Sequence, residues 1–154
     1  TTNVYFNRAK KFYQKIKMKT LLVEKELPGF LSDRLQEALW REGLHIVNEG
    51  FASTKDLDEA ITYGPGMRWA LMGTFLTFHL AGGEMGMKHM LDQFGPALKL
   101  PWTKLKSPKL SKKLKEKIIK GTKKQSNNHS IKDLSNIRDN FLIDLLELKK
   151  KYKL

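Results

Sequence analysis

The chain has 154 residues, 40% of them apolar, with 29 Lys and Arg against 16 Asp and Glu for a net charge of +13. That length suits roughly one domain with a core of its own, and that apolar share excludes a disordered polyelectrolyte. There is no cysteine, which excludes disulfide staples, zinc–thiolate sites and a cysteine nucleophile, and fits a reducing cytoplasm.

In chain order, Val4, Tyr5, Ala9, Phe12, Tyr13 and Ile16 recur at helical spacing within residues 1–17. Thr20-Leu21-Leu22-Val23 is a short apolar run rich in strand formers and predicts a buried strand. One helix and one strand make no sheet, so residues 1–26 read as the closing pair of an α/β domain whose remainder is absent. Pro28-Gly29 breaks the chain. From Phe30, a long helical pattern carries Leu31, Leu35, Ala38, Leu39, Ile46 and Val47 to a stop at Gly50.

Ser53 and Asp56 have capping-box spacing and open a short helix with Leu57, Ala60 and Ile61, ended by Gly64-Pro65-Gly66. Residues 68–80 are apolar nearly all round, which predicts one buried helix and a subunit contact. A helix over 84–94 with Met85, Met87, Met90 and Leu91 follows, ended by Gly95-Pro96. Pro101, Ser107 and Pro108 punctuate a loop. Residues 111–124 read as a basic amphipathic helix on Leu114, Ile118 and Ile119, and 121–128 as a polar loop. Ser130 and Asp133 repeat the capping-box spacing before Leu134, Ile137, Phe141, Leu145 and Leu148, a long terminal helix. The fold class is therefore all-α, helix packed on helix.

A net charge of +13 invites a nucleic-acid or membrane reading. Its location argues otherwise. Residues 31–102 hold 6 basic and 9 acidic residues, and the two flanks hold the other 23 and 7. The excess is mostly lysine at helical positions, which describes a solvated face; Tyr152 among its lysines is the one faint stacking candidate. No run of 18 apolar residues exists to cross a membrane, and the first residues lack a leader's apolar stretch. Asn128-His129-Ser130 fits a glycosylation sequon, a chance match in a chain without a leader.

The chemical motifs are few. G-x-G-x-x-G and the P-loop are both missing, so this chain alone is not expected to bind a dinucleotide. His45, His79, His89 and His129 show no metal-ligand spacing, and no metal is expected. The densest chemistry lies in residues 64–79, where Arg68 follows a glycine turn among Trp69, Phe75 and Phe78. An arginine in such company either pairs with an acid, such as Asp33, Glu37 or Glu42, or meets an anionic ligand.

At these residues the sequence resembles a known family. Leu27-Pro28-Gly29-Phe30-Leu31-Ser32-Asp33-Arg34-Leu35 is similar to the P-G-F-x-x-N-R-L entry of the C-terminal domain of 3-hydroxyacyl-CoA dehydrogenases. Gly66-Met67-Arg68-Trp69 through Ala81-Gly82-Gly83, and Gln93-Phe94-Gly95-Pro96 through Pro101-Trp102, resemble its carnitine-oxidising branch more closely. The likeness covers about residues 4 to 145.

It implies a two-domain enzyme. A Rossmann domain binds NAD and carries the catalytic His and Glu; a helical domain of the 6-phosphogluconate/3-hydroxyacyl-CoA dehydrogenase type closes over the substrate and forms a homodimer. Residues 1–26 would be the last helix and strand of the first domain and 27–154 the second, inactive alone. The catalytic pair is not carried over to His45 or His79.

The family's Asn facing the reacting centre falls on Asp33, which when ionised only accepts hydrogen bonds. That departure argues against an acyl-CoA substrate and for carnitine, a zwitterion with a quaternary ammonium and a carboxylate. Aromatic faces and a carboxylate suit the ammonium, which donates no hydrogen bond. Trp69, Phe75, Phe78 and Trp102 with Asp33 are that pole, and Arg68 is the carboxylate partner. The rival readings are an acyl-CoA enzyme of the same fold and a non-catalytic basic helical binding module.

Overall fold

The computed structural model describes residues 2–127 and 129–152, so Asn128 of the sequon lies outside them. Among these the regular structure is all helical, as the patterning predicts: α1 (Asn3–Lys15), α2 (Leu31–Glu49), α3 (Thr54–Thr62), α4 (Pro65–Trp69), α5 (Thr74–Ala81), α6 (Gly86–Phe94), α7 (Lys112–Gln125) and α8 (Ile131–Lys151). Short 3-10 turns at Gly83–Met85 and Gly95–Lys99 flank α6. The chain divides into two compact units, residues 1–36 and 37–154.

In the first unit α1 ends at Lys15, and Lys17 turns the chain in the left-handed region. The strand expected at 20–23 does not form. The segment carries no ladder, and Leu21 is 71% exposed. A strand holds only when a neighbour takes its backbone hydrogen bonds, and none of the described residues does so here. Gly29 at φ 78° then reverses the chain into α2, with Phe30 beside it at φ 55°. The Arg34 amide donates to the Phe30 carbonyl at 3.3 Å.

The second unit holds the small core: Leu44 and Val47 on α2 and the fully buried Leu114 on α7. Three kinds of contact assemble it. The Lys117 ammonium donates to the Val47 carbonyl at 3.0 Å, tying α7 to the end of α2. A side chain at Gly43 would meet Leu57 of α3 at 3.8 Å, ordinary contact distance. Gly121 brings α7 so close to α3 that a Cβ there would lie 2.6 Å from the Thr54 hydroxyl.

Local chemistry sets the helix ends. Gly50 at φ 81° closes α2, with the Phe51 amide reaching the Ile46 carbonyl and the Gly50 amide the Val47 carbonyl, a Schellman stop. Both capping boxes form: the Ser53 amide donates to the Asp56 carboxylate at 2.9 Å and the Ser130 amide to Asp133 at 3.0 Å. The Ser53 and Ser130 hydroxyls, which also donate to those carboxylates, and then the two amides hold both carboxyls below their ordinary range, since each bond favours the charged form. Ser111 caps α7 by accepting from the Leu114 amide at 3.2 Å.

Two other expectations are corrected. Residues 68–80 are not one buried helix but parts of α4 and α5, separated by a turn over 70–73. Non-helical backbone at Gly73 (φ -45°, ψ -176°) interrupts the helix, and Thr77 Oγ1 donates back to the Gly73 carbonyl at 3.0 Å as α5 begins. Their apolar side chains also remain largely exposed, because no other part of the described chain covers them. Residues 121–124, which the helix expected over 111–124 and the loop expected over 121–128 both claim, belong with Gln125 to α7: a lysine-rich solvated face costs a helix little, and Gly121 is kept by its approach to α3. Among the described residues no helix is long and apolar enough to cross a membrane.

Candidate functional site

Two glycines fold α4 back onto the end of α3. A Cβ at Gly64 would lie 2.3 Å from the Ala60 carbonyl oxygen, and one at Gly66 2.6 Å from that of Ile61. Pro65 between them opens α4, where its fixed φ fits and its missing N–H is not needed. α4 lasts barely a turn, so Arg68 and Trp69 stand at its far end. The Arg68 carbonyl accepts from the amides of Leu71 and Met72 at 3.0 and 2.9 Å, which makes the following turn.

Arg68 is exposed, and among the described residues its guanidinium has no ion pair or hydrogen bond. Two of the acids weighed as partners are engaged elsewhere: Glu37 with Arg41 Nε at 2.9 Å, and Glu42 with the Lys104 amide at 2.8 Å. Trp69 is half-buried. Phe75 (83% exposed) and Phe78 project from α5. Trp102 is 73% exposed in the loop before α7. Asp33 sits exposed in the first turn of α2, in the unit of residues 1–36, whereas the other five candidates belong to 37–154. The rings of Trp69, Phe75, Phe78 and Trp102 form no ring pair with one another among the described residues; Phe12 and Tyr13 do, with centroids 5.5 Å apart. Among the described residues these four rings thus close no stack with one another.

Two features escaped sequence reasoning. The first is a strap. Residues 104–106 lie along α2, held by Glu42 on the Lys104 amide, by a Lys104–Glu49 ion pair, and by the His45 ring bonded through Nε2 to the Lys106 carbonyl at 2.8 Å. This strap fixes the loop that bears Trp102. Nothing in the spacing of Glu42, His45 and Glu49 announces a partner some sixty residues away. The second is a clamp at the corner of α5 and α6. His79 Nδ1 accepts from the Met87 amide at 3.1 Å, and buried Gly86, at φ 59°, lies so close that a Cβ would sit 2.4 Å from the ring. Gly82 meets the Gly86 carbonyl more closely still, at 1.9 Å from where its Cβ would be. The glycines at 82, 83 and 86 are the trace that this packing leaves in the sequence.

No cluster of three or more His, Asp or Glu placed to hold a metal occurs among the described residues. A shallow cleft of about 440 Å³ in the first unit is lined by residues such as Lys10, Gln14, Lys17 and Lys19, none of them a candidate site residue.

Residues 29–126 match the family described as 3-hydroxyacyl-CoA dehydrogenase, C-terminal domain. The chain is 55% identical over 152 residues to the L-carnitine dehydrogenase of Oceanobacillus iheyensis, covering 99% of this chain and 50% of that protein. It is 56% identical over 146 residues to the L-carnitine dehydrogenase of Bacillus cereus, 95% of this chain and 45% of that protein. With that of Pseudomonas syringae it shares 53% over 143 residues, 93% and 45%. The chain spans about half the length of the relatives it matches. With its helical architecture and its glycine-framed α3–α4 turn, the match places this chain in the 3-hydroxyacyl-CoA dehydrogenase C-terminal domain family.

Proposed function

We propose that this chain is the substrate-binding and dimerisation part of an NAD-dependent oxidoreductase of the cytoplasm that converts L-carnitine to 3-dehydrocarnitine. In this reading residues 1–26 close an N-terminal Rossmann domain, which holds NAD and the catalytic His and Glu, and 27–154 receive the substrate. The named function of the relatives and the family match support it. The observation that carries it for this chain is Arg68: an exposed guanidinium with no carboxylate partner among the described residues, set by a glycine turn beside Trp69.

The division of labour is supported by the sequence, which holds no G-x-G-x-x-G loop. A pyrophosphate wants free amides at a helix start, and at α3 and α8 the first-turn amides of Asp56 and Asp133 are taken by Ser53 and Ser130. The chain's own contribution is to bind and orient. Arg68 takes the substrate carboxylate through two parallel N–H donors. The faces of Trp69, Phe75, Phe78 or Trp102 and the charge of Asp33 receive the trimethylammonium. Asp33 stands where the family places an Asn near the reacting carbon, and as an acceptor it holds the substrate hydroxyl in line for its oxidation.

The test uses the full-length enzyme. A lost charged hydrogen-bond donor is worth about 1.5–3 kcal/mol, so Arg68→Ala should raise the KM for L-carnitine by roughly 10- to 100-fold with NAD affinity unchanged. An unchanged carnitine KM removes Arg68 from the site.

A further inference from the structure

We propose that Trp102 is the ring that receives the substrate's quaternary ammonium, and that Glu42 and His45 of α2 are positioning residues that hold it in place through the strap. The inference rests on the carnitine reading above and deepens it. That reading leaves four rings open, and the hold on one of them singles it out.

The first mark of Trp102 is how its backbone is fixed. Trp69 stands on α4, and Phe75 and Phe78 on α5, where helix bonds carry them. Trp102 lies outside any helix, yet the chain is tied on both sides of it. Before it, the Leu100 amide donates to the Ala97 carbonyl and the Trp102 amide to the Leu100 carbonyl, both at 2.9 Å, in a turn around Pro101, whose ring fixes φ. After it, three consecutive residues bond to α2. The Lys104 amide donates to Glu42 Oε2 at 2.8 Å, the Leu105 carbonyl accepts from Arg41 Nη1 at 3.5 Å, and the Lys106 carbonyl accepts from His45 Nε2 at 2.8 Å. The Lys104 ammonium pairs with Glu49. Glu42, His45 and Glu49 are three and four positions apart, so they form one row along the helix and grip Lys104 by both its amide and its side chain. Trp102 is two residues from that anchor. A chain spans at most about 3.6 Å per residue, so its backbone stays within about 7 Å of Lys104.

The second mark is what the strap leaves undone. It buries no large apolar side chain: Leu105 is 51% exposed and Trp102 73%. Leu105 has φ 49°, a left-handed backbone unfavourable for leucine that persists where surrounding bonds hold it. Polar bonds that draw a loop onto a helix despite that strain, without burying its side chains, fix a position and add nothing to the core. The position fixed is that of an indole open to solvent. Its face attracts a quaternary ammonium more strongly than a phenylalanine ring does.

The test uses the full-length enzyme with L-carnitine and NAD. Trp102→Leu, Glu42→Leu and His45→Ala are assayed singly, and each strap substitution is also combined with Trp102→Leu. Glu42→Gln and His45→Gln serve as conservative variants, since they keep an acceptor and a donor at similar reach. Loss of a cation–aromatic contact predicts a carnitine KM raised about 5- to 30-fold by Trp102→Leu and by part of that in the strap variants, with kcat and the KM for NAD little changed. In the combined variants the strap substitution should add nothing to Trp102→Leu, and both glutamine variants should keep the parent KM. Strap substitutions that leave the carnitine KM unchanged, or raise it equally without the indole, overturn the inference and leave Trp102 in the site. Strap variants that do not fold, or lose kcat and both KM values together, also overturn it, because the strap then serves the fold. An unchanged carnitine KM in Trp102→Leu removes that ring and this inference while Arg68 keeps its role. A parent enzyme that does not turn over L-carnitine overturns both readings.

Discussion

The block of α2, α3 and α7 and the segment of α4 and α5 answer the same question differently. In the first, ordinary contact at Gly43, close approach at Gly121 and a cation on the Val47 carbonyl assemble the helices around buried Leu44, Val47 and Leu114. In the second, glycines also bring backbones together, but the packing stops there and Phe75 and Phe78 stay outside. The contrast teaches that glycine contacts and caps complete themselves within the chain, whereas its large apolar faces need surfaces from elsewhere.

The most damaging change to the first region should be Leu114→Ala. Emptying a fully buried leucine site costs about 2–5 kcal/mol, read as a fall in melting temperature or denaturant midpoint. If stability hardly changes, the block is not the core that the burial describes. In the second region Gly86→Ala should cost about 1–2 kcal/mol from its left-handed backbone alone, besides the collision with the His79 ring. The His79 imidazole resonances should shift with it. A variant as stable as the parent would mean that the corner relaxes freely.

Ser111→Ala sharpens the comparison on the packed side. It removes one N-cap bond at the start of α7, so a loss of about 1 kcal/mol is expected, confined to that helix in amide exchange. The smallest effect is in acid. Asp56 and Asp133 have carboxyls held below their ordinary range, so the capping boxes contribute fully above the ordinary aspartate value. That contribution should fade as pH falls through the lowered values. Carboxyl titration by NMR checks it, and Ser53→Ala or Ser130→Ala should return the respective titration upward.

The sequence by itself determined the elements whose chemistry is local. Helix periods, the Ser53–Asp56 and Ser130–Asp133 boxes, the stop at Gly50 and the glycine turn before Arg68 depend on residues a few positions apart, and each was legible. Among the site candidates it singled out Arg68, Trp69, Phe75, Phe78, Trp102 and Asp33, but not which of them lie together. Only the tertiary structure decided that 20–23 finds no strand partner among the described residues, that 68–80 breaks at Gly73, that His79 grips the start of α6, and that Glu42, His45 and Glu49 hold the strap before α7. Those outcomes turn on groups distant in sequence, or on surfaces the chain does not supply to itself. A hydrophobic run reads the same whether it will be buried by its own chain, by another, or left in water.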